Sequence, residues 1–312
     1  MLIDGALVAI GLVGLYFGAE WLLGGAVGLA RRLRIPTLLV SLVIVGFGTS
    51  MPELLVSVRA AVSGSSAIAL GNVVGSNTAN ILLIVSACAL IFPISTWDKS
   101  VRRDTFVMIA AAVLLLVLAQ FGNIGRLAGL VMVLLLFAYL VFAYRQGQTV
   151  AAELDDETIG RGQMGGGRMA LLILGGLATL FVGAECLVRG ATSLARDFGV
   201  SEAVIGLTVV AVGTSLPELA TGIMSALKRH SDIIIGNIVG SNIFNILFIL
   251  GVTAMIQPIA AEPRFATFDI PVMLAVTLGF SALLLTHVGV RRLVAALMLL
   301  VYAGYTVALV QL

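Results

Sequence analysis

The stretch Gly46-Phe47-Gly48-Thr49-Ser50-Met51-Pro52-Glu53 sets a carboxylate beside a helix breaker inside an otherwise apolar run, 38–62. A charged side chain at such depth in a bilayer costs roughly 2.5 to 3.5 kcal/mol on insertion scales, so Glu53 requires a partner or a task. Pro52 cannot donate a backbone hydrogen bond, and its ring crowds the carbonyl at Gly48. Gly46 and Gly48 would let the chain unwind there, leaving carbonyl oxygens free near the carboxylate. On a helix, Thr49, Ser50 and Glu53 at i, i+1 and i+4 share one face. Hydroxyls, carbonyls and a carboxylate are the hard oxygens that suit a hard cation. Ser and Thr beside a Pro kink more often only bend a membrane helix. Glu53 weighs against that role, and the stretch occurs twice: Gly213-Thr214-Ser215-Leu216-Pro217-Glu218 repeats it 165 residues later.

A second polar motif follows each copy. In Gly71-Asn72-Val73-Val74-Gly75-Ser76-Asn77-Thr78-Ala79-Asn80, the small residues Gly71, Gly75 and Ala79 form a stripe for close helix approach. Ser76, Asn77 and Asn80 repeat the i, i+1, i+4 polar pattern. Interhelical hydrogen bonding is the ordinary role of such residues, but next to a carboxylate motif Ser76 and Asn80 read as ligands. Gly236-Asn237-Ile238-Val239-Gly240-Ser241-Asn242-Ile243-Phe244-Asn245 answers this motif at the same offset. So do Glu185 for Glu20, Pro258 for Pro93, Asp269 for Asp104 and Arg291 for Arg126. One ungapped offset over that length is the mark of a duplication.

The elements that carry these motifs are membrane spans. The chain has 312 residues, 60% hydrophobic and 11% charged, with a mean hydropathy of +1.13, far from soluble domains. About 20 apolar residues cross a bilayer. Ten candidate spans lie near 2–30, 36–62, 67–92, 104–121, 126–144, 169–195, 202–227, 232–256, 268–286 and 293–311. The first carries Asp4 and no positive residue before its apolar core, so it reads as a retained span rather than a secretory signal. The fourth and fifth look like featureless scaffold without a membrane acid. Cys88 and Cys186 fall inside apolar runs and read as packing residues.

The basic residues are distributed unevenly. The odd-numbered connections carry Arg31, Arg32, Arg34, Lys99, Arg102, Arg103, Arg145, Arg161, Arg168, Lys228, Arg229, Arg291 and Arg292, against Arg59, Arg126, Arg196 and Arg264 on the other side. The positive-inside rule then places both termini outside the cytoplasm of a multi-pass protein in the cell (inner) membrane. Residues 1–144 form one five-span repeat and 168–312 the second. Between them, 145–167 is a polar cytoplasmic linker with the acids Glu153, Asp155, Asp156 and Glu157. Gly160, Gly162 and Gly165 match G-x-G-x-x-G, but no strand precedes them, so they read as spacer. Five spans per repeat is an odd number, so equivalent segments enter from opposite faces. The fold expected is all-α and polytopic: ten transmembrane helices in two inverted repeats, with helices 2, 3, 7 and 8 broken and their motifs meeting near the midplane. Glu20 and Glu185 read as structural, since Arg189 stands at i+4 from Glu185.

The paired G-T-S-x-P-E and G-N-x-x-G-S-N-x-x-N motifs resemble the alpha repeats of the cation/Ca2+ exchanger superfamily, closest to its prokaryotic sodium/calcium exchanger branch. The resemblance covers all ten expected spans. It implies a secondary antiporter exchanging Ca2+ for Na+ by alternating access, with the first and sixth spans sliding past the rest. Glu53 and Glu218 would be the principal carboxylate ligands. Thr49, Ser50, Thr214 and Ser215 match hydroxyl positions, and Ser76, Asn80, Ser241 and Asn245 match the ligands of the third and eighth spans. The carbonyls of Gly46 and Ala211 would contribute. In some sodium/calcium exchangers the position of Asn245 holds Asp; here both repeats have Asn, so the matched ligands carry at most two negative charges. Transported Ca2+ and Na+, the lipid bilayer and a single functional subunit follow, with no cofactor, ATP or nucleic acid.

Other classes fit less well. A cation/proton antiporter would protonate Glu53 or Glu218 on the return step. A channel could use the carboxylates as a selectivity ring. An intramembrane hydrolase would need a buried base, whereas His230 and His287 fall near span ends. No G-x-x-x-x-G-K-[ST] loop is present for an ATP-driven pump.

Overall fold

The structure, a computed structural model, describes residues 1–33, 35–95, 99–153, 164–199, 211–286 and 288–311. Arg34, Asp155, Asp156, Glu157, Gly160, Arg161, Gly162, the opening 202–210 of the seventh expected span, and His287 lie outside the described residues. The described chain is helical apart from short turns and a pair of two-residue strands. In order it forms α1 (Leu2–Leu33), α2 (Thr37–Thr49), α3 (Met51–Val62), α4 (Ser66–Ile91), α5 (Lys99–Gln120), α6 (Arg126–Glu153) and α7 (Gly166–Asp197). A single turn, Ala211–Gly213, precedes α8 (Leu216–Leu227), then α9 (Ser231–Ile256), α10 (Phe265–Leu285) and α11 (Arg292–Gln311) follow. Seven of these are long and apolar enough to cross a membrane, and eight if the bent pair α2–α3 counts as one span. The chain is an integral membrane protein.

The break between α2 and α3 is a 43° bend at Ser50, whose backbone stands at φ −83°, ψ 7°. Ser215 takes nearly the same angles, φ −90°, ψ 8°, at the start of α8. Pro52 and Pro217 occupy the second helical position after each bend, where the missing N–H has no helical acceptor to lose. The glycines do not unwind the chain as expected. Gly46 keeps helical angles, φ −59°, ψ −46°. A Cβ on Gly48 would meet Leu177 Cδ2 at 2.7 Å, and one on Gly46 would meet the Ser241 nitrogen at 3.0 Å. These glycines admit neighbouring helices. The third and eighth expected spans are also not broken: α4 and α9 run continuously, widened by π-helical turns at Asn80–Val85 and Asn245–Leu250. Each π turn begins at a candidate ligand, and a further one, Ser41–Gly46, ends at another.

Two apolar bodies result. The larger is centred on α4 and α9, walled by α5, α6, α10 and α11. The smaller holds Leu15, Ala19, Leu22, Ala26, Leu180 and Ala184 of α1 and α7, with Val40 and Val45 of α2, Met224 of α8 and Ile233 of α9. Helices α1 and α7 run antiparallel at backbone contact: a Cβ on Gly11 would stand 2.8 Å from the Gly183 carbonyl oxygen, and one on Gly18 2.9 Å from that of Gly176. Without side chains there, van der Waals contact between backbones can hold the pair together in lipid. The connections cross-link the halves as well. β1 (Asn123–Ile124) pairs antiparallel with β2 (Ile259–Ala260), and Ile94 bridges Val290.

Helix α6 runs on to Glu153, so the segment 145–167 opens as helix. One further expectation needs correction: helix α5 is not free of acid. Asp104 is buried at its start, with Arg103 Nε 2.5 Å from its Oδ1, and Arg264 pairs likewise with Asp269 at 3.2 Å. An acid bonded to its neighbour lies at the edge of the apolar run, where hydropathy registers a boundary.

Close helix approach occurs at the α9 copy of the stripe and not at Gly71, Gly75 and Ala79, from which it was expected: among the described residues nothing stands within 4 Å of a Cβ on Gly75. A Cβ on Gly236 would meet the Leu38 carbonyl oxygen at 2.6 Å, and one on Gly240 that of Leu42 at 2.5 Å. For Gly71 the nearest described atoms are those of Phe265, at 3.7 Å. Gly240→Ala is therefore expected to destabilise the protein by about 1–3 kcal/mol, since backbone rather than a flexible side chain must give way. Thermal unfolding in detergent should show a lowered Tm; an unchanged Tm would contradict this packing.

Candidate functional site

Glu53 and Glu218, one residue after each proline, are held in the interior by the two bends, each about 1% exposed. The sequence pattern suggested that each acid shares a helix face with its own Thr-Ser pair. The hydroxyls instead cross between repeats: Ser50 Oγ donates to Glu218 Oε1 at 3.0 Å, and Ser215 Oγ to Glu53 Oε1 at 3.3 Å. Thr49 Oγ1 is bound to the Val45 carbonyl at 2.9 Å. It lies beside Glu218, as Thr214 lies beside Glu53. Among the described residues no basic side chain pairs with either acid. Glu53 Oε2 and Glu218 Oε2 are buried without a hydrogen-bond partner.

Asn80 and Asn245 add two more such atoms. Their amide nitrogens are used, Asn80 Nδ2 donating to Asn242 Oδ1 at 3.0 Å and Asn245 Nδ2 to Asn77 Oδ1 at 2.9 Å. Their oxygens, Asn80 Oδ1 and Asn245 Oδ1, are buried and without a partner. Ser241 Oγ donates to the Gly46 carbonyl at 3.3 Å, joining two candidate ligands directly. Ser76 is buried on α4 at the position matching Ser241. Ala211 stands three positions before Thr214, as Gly46 does before Thr49.

The structure thus brings the two glutamates, four hydroxyl positions and two asparagines to the crossing of α2–α3, α4, α8 and α9. Four acceptor oxygens of the candidate ligands lack donors, two from carboxylates, and Asn237 Oδ1 behind them is a fifth. A buried polar atom without a partner costs roughly 1–3 kcal/mol, and a buried unpaired charge more. Oxygens of this kind are the ligands a hard cation takes in place of hydrogen-bond donors. Among the described residues no three His, Cys, Asp or Glu side chains cluster for a transition metal. Carboxylate, amide, hydroxyl and carbonyl oxygens suit Ca2+, and by the same hardness Na+.

A cavity of about 570 Å³ lined by Met51, Pro52, Arg59, Glu185, Gly213 and Thr214 reaches the edge of this cluster. Glu185 on its wall pairs with Arg189 at 2.5 Å, as the spacing suggested, and its counterpart Glu20 pairs with Lys228 at 3.3 Å. Both acids stand outside the ligand cluster. His230 immediately precedes α9 and is exposed, so it is not the buried base the hydrolase alternative would need.

The sequence reading passed over a supporting layer of asparagines. Asn72 Nδ2 donates to the Glu53 carbonyl at 3.1 Å and to Ser57 Oγ at 2.9 Å. Asn237 Nδ2 donates to Thr221 Oγ1 at 3.0 Å. Asn77 and Asn242 bond the ligand asparagines. Each copy of G-N-x-x-G-S-N-x-x-N holds two of the four, and that recurrence is the signal the sequence offers.

Comparison with known proteins agrees on one family. The family model described as sodium/calcium exchanger protein matches residues 4–145 and 169–311. A putative antiporter, CaxA, of Alkalimonas amylolytica is 35% identical, covering 98% of each chain. The sodium/calcium exchanger MaX1 of Methanosarcina acetivorans is 30% identical over 97% of each. Among solved structures, the sodium-calcium exchanger NCX_Mj soaked with zero Na+ and Ca2+ superposes with a TM-score of 0.85 at 27% identity, covering 99% of each chain.

Proposed function

The chain belongs to the sodium/calcium exchanger protein family, and we propose that it moves its ions by alternating access at the buried cluster around Glu53 and Glu218. It is a secondary antiporter of Na+ and Ca2+ rather than an enzyme. The observation that carries the site is the set of four buried acceptors without donors, Glu53 Oε2, Glu218 Oε2, Asn80 Oδ1 and Asn245 Oδ1. Thr49, Ser50, Ser76, Thr214, Ser215, Ser241 and the carbonyls of Gly46 and Ala211 complete the proposed ligand set. One Ca2+ neutralises the two carboxylates. Na+ ions using the same oxygens exclude it, which couples the two fluxes. All these ligands come from one chain, so a single subunit suffices.

The architecture we propose is ten spans in two inverted repeats, 1–144 and 168–312, joined by 145–167. Three crossings, through α2–α3, through α5, and through the chain ending in α8, join the seven long apolar helices. Matching bends at Ser50 and Ser215 and matching π turns at Asn80 and Asn245 support the repeat. With thirteen basic residues on the odd-numbered connections, both termini lie outside the cytoplasm. The Arg59 cavity then faces outward. A cysteine at Arg32 should resist impermeant thiol reagents in intact cells, and ready labelling would invert this orientation.

Purified protein in liposomes tests the exchange. An outward Na+ gradient at equal pH is expected to drive uptake of radioactive Ca2+, and a pH gradient without Na+ is expected to drive none. The reverse result would make the protein a cation/proton antiporter, and uptake needing no exchanging ion would make it a channel.

A further inference from the structure

Asn77 and Asn242 are outside the ligand set, yet both ligand amides, Asn80 and Asn245, take their direction from them. The backbone carbonyls of these two residues are fixed acceptors. Asn77 Nδ2 donates to the Asn242 carbonyl at 3.3 Å, and Asn242 Nδ2 to the Asn77 carbonyl at 3.4 Å. An amide whose nitrogen is directed at a carbonyl must turn its oxygen the other way. Asn77 Oδ1 therefore faces Asn245 and can only accept, so Asn245 must present Nδ2 to it, at 2.9 Å. Asn245 Oδ1 is then the end left over, buried and unpartnered. The same sequence runs from the Asn77 carbonyl through Asn242 to Asn80, with 3.0 Å between Asn80 Nδ2 and Asn242 Oδ1. Four side-chain amides and two backbone carbonyls form one network that joins the repeats. Reversing any one amide would set donor against donor or acceptor against acceptor.

We propose that Asn77 and Asn242 are positioning residues acting across the repeats: each holds the ligand amide of the opposite half so that its oxygen, and never its NH2, faces the transported cation. Without them Asn80 and Asn245 could turn, and an NH2 group would meet a cation already bound by two carboxylates. The network also favours a neutral amide at both ligand positions. A carboxylate replacing Asn245 would set an acceptor against Asn77 Oδ1, so the pocket is held at the two charges that one Ca2+ neutralises.

The inference rests on the site proposed above, and double-mutant cycles on Ca2+ affinity separate the two. Equilibrium binding of radioactive Ca2+ to the purified, detergent-solubilised full chain is measured for alanine at 77, 80, 242 and 245, singly and in pairs. Each single change is expected to weaken binding by about tenfold, the effect of one lost or misdirected oxygen ligand. The coupling should be crossed. Asn77→Ala adds nothing further once Asn245→Ala is present, and Asn242→Ala nothing once Asn80→Ala is present. By contrast, Asn77→Ala with Asn80→Ala, and Asn242→Ala with Asn245→Ala, multiply their effects. A merely structural role would give the same additivity in both pairings, and that result overturns the inference. If Asn80→Ala and Asn245→Ala leave Ca2+ affinity unchanged, the site assignment itself falls. Should alanine at 77 or 242 yield no folded protein, serine, which is too short to replace the amide acceptor but keeps the position polar, gives the same cycle.

Discussion

Glu53→Gln and Glu218→Gln are each expected to abolish Na+-driven Ca2+ exchange while the protein still inserts and folds. Each carboxylate is buried, receives one hydroxyl hydrogen bond from the opposite repeat and faces no basic side chain among the described residues. The two acids are therefore the whole formal counter-charge available to a divalent ion in the cluster. Glutamine keeps the volume, removes one of those charges and can turn an NH2 group towards the cation. Removing one partner of a buried ion pair costs about 3–5 kcal/mol, which corresponds to a loss of more than a hundredfold in affinity. Without Ca2+ the same substitutions relieve an unpaired buried charge, so they should not lower the Tm. Added Ca2+ should raise the Tm of the unmodified protein and no longer that of the variants. Near-normal exchange by either variant would remove that carboxylate from the site.

Gly18→Val is expected to stop exchange by another route, leaving Ca2+ binding intact. Helices α1 and α7 supply none of the proposed ligands, and their glutamates are paired with Lys228 and Arg189. They touch through backbone and share the smaller apolar body with Val40 and Val45 of α2, Met224 of α8 and Ile233 of α9. A Cβ at Gly18 would already stand 2.8 Å from the Leu180 nitrogen and 2.9 Å from the Gly176 carbonyl oxygen. Valine would drive the helices apart, with about 1–3 kcal/mol of overpacking to relieve. If the two helices shift as a unit over the ion-binding body during alternating access, splaying them halts transport without altering the ligands. Flux in liposomes and Ca2+ binding in detergent, measured on the same preparation, check this. Full exchange would contradict it, as would Ca2+ binding lost together with flux.

Much of the site was legible because the chain states it twice. Glu53 and Glu218 were conspicuous as acids in apolar runs, and the constant offset joined them to Asn80 and Asn245. Which partner each residue takes could not be read. Helical spacing pairs Ser50 with Glu53, whereas in space Ser50 serves Glu218, 168 positions away in the other repeat. Asn77 and Asn242 have the same residue type and motif as the ligands, and only the direction of their hydrogen bonds separates the two roles. Gly46 and Gly48 illustrate a related limit. Unwinding and close packing both favour glycine, and the neighbour that decides, Leu177 for Gly48, is 129 positions away in the chain. Asp104 was legible as the repeat counterpart of Asp269 but not as a buried acid, because its partner Arg103 adjoins it and blurs the end of the span. The contact of α1 with α7 was likewise implicit in Gly11 and Gly18 and their counterparts Gly176 and Gly183.

A structure determined with Ca2+ bound tests the central claim most directly. The cation is expected between the repeats, within about 2.3–2.6 Å of both Glu53 Oε2 and Glu218 Oε2. Asn80 Oδ1 and Asn245 Oδ1 should face it, with the crossed amide network unchanged. Ca2+ found instead at Asp104 or in the cavity beside Glu185, with Glu53 Oε2 and Glu218 Oε2 unengaged, would contradict the account.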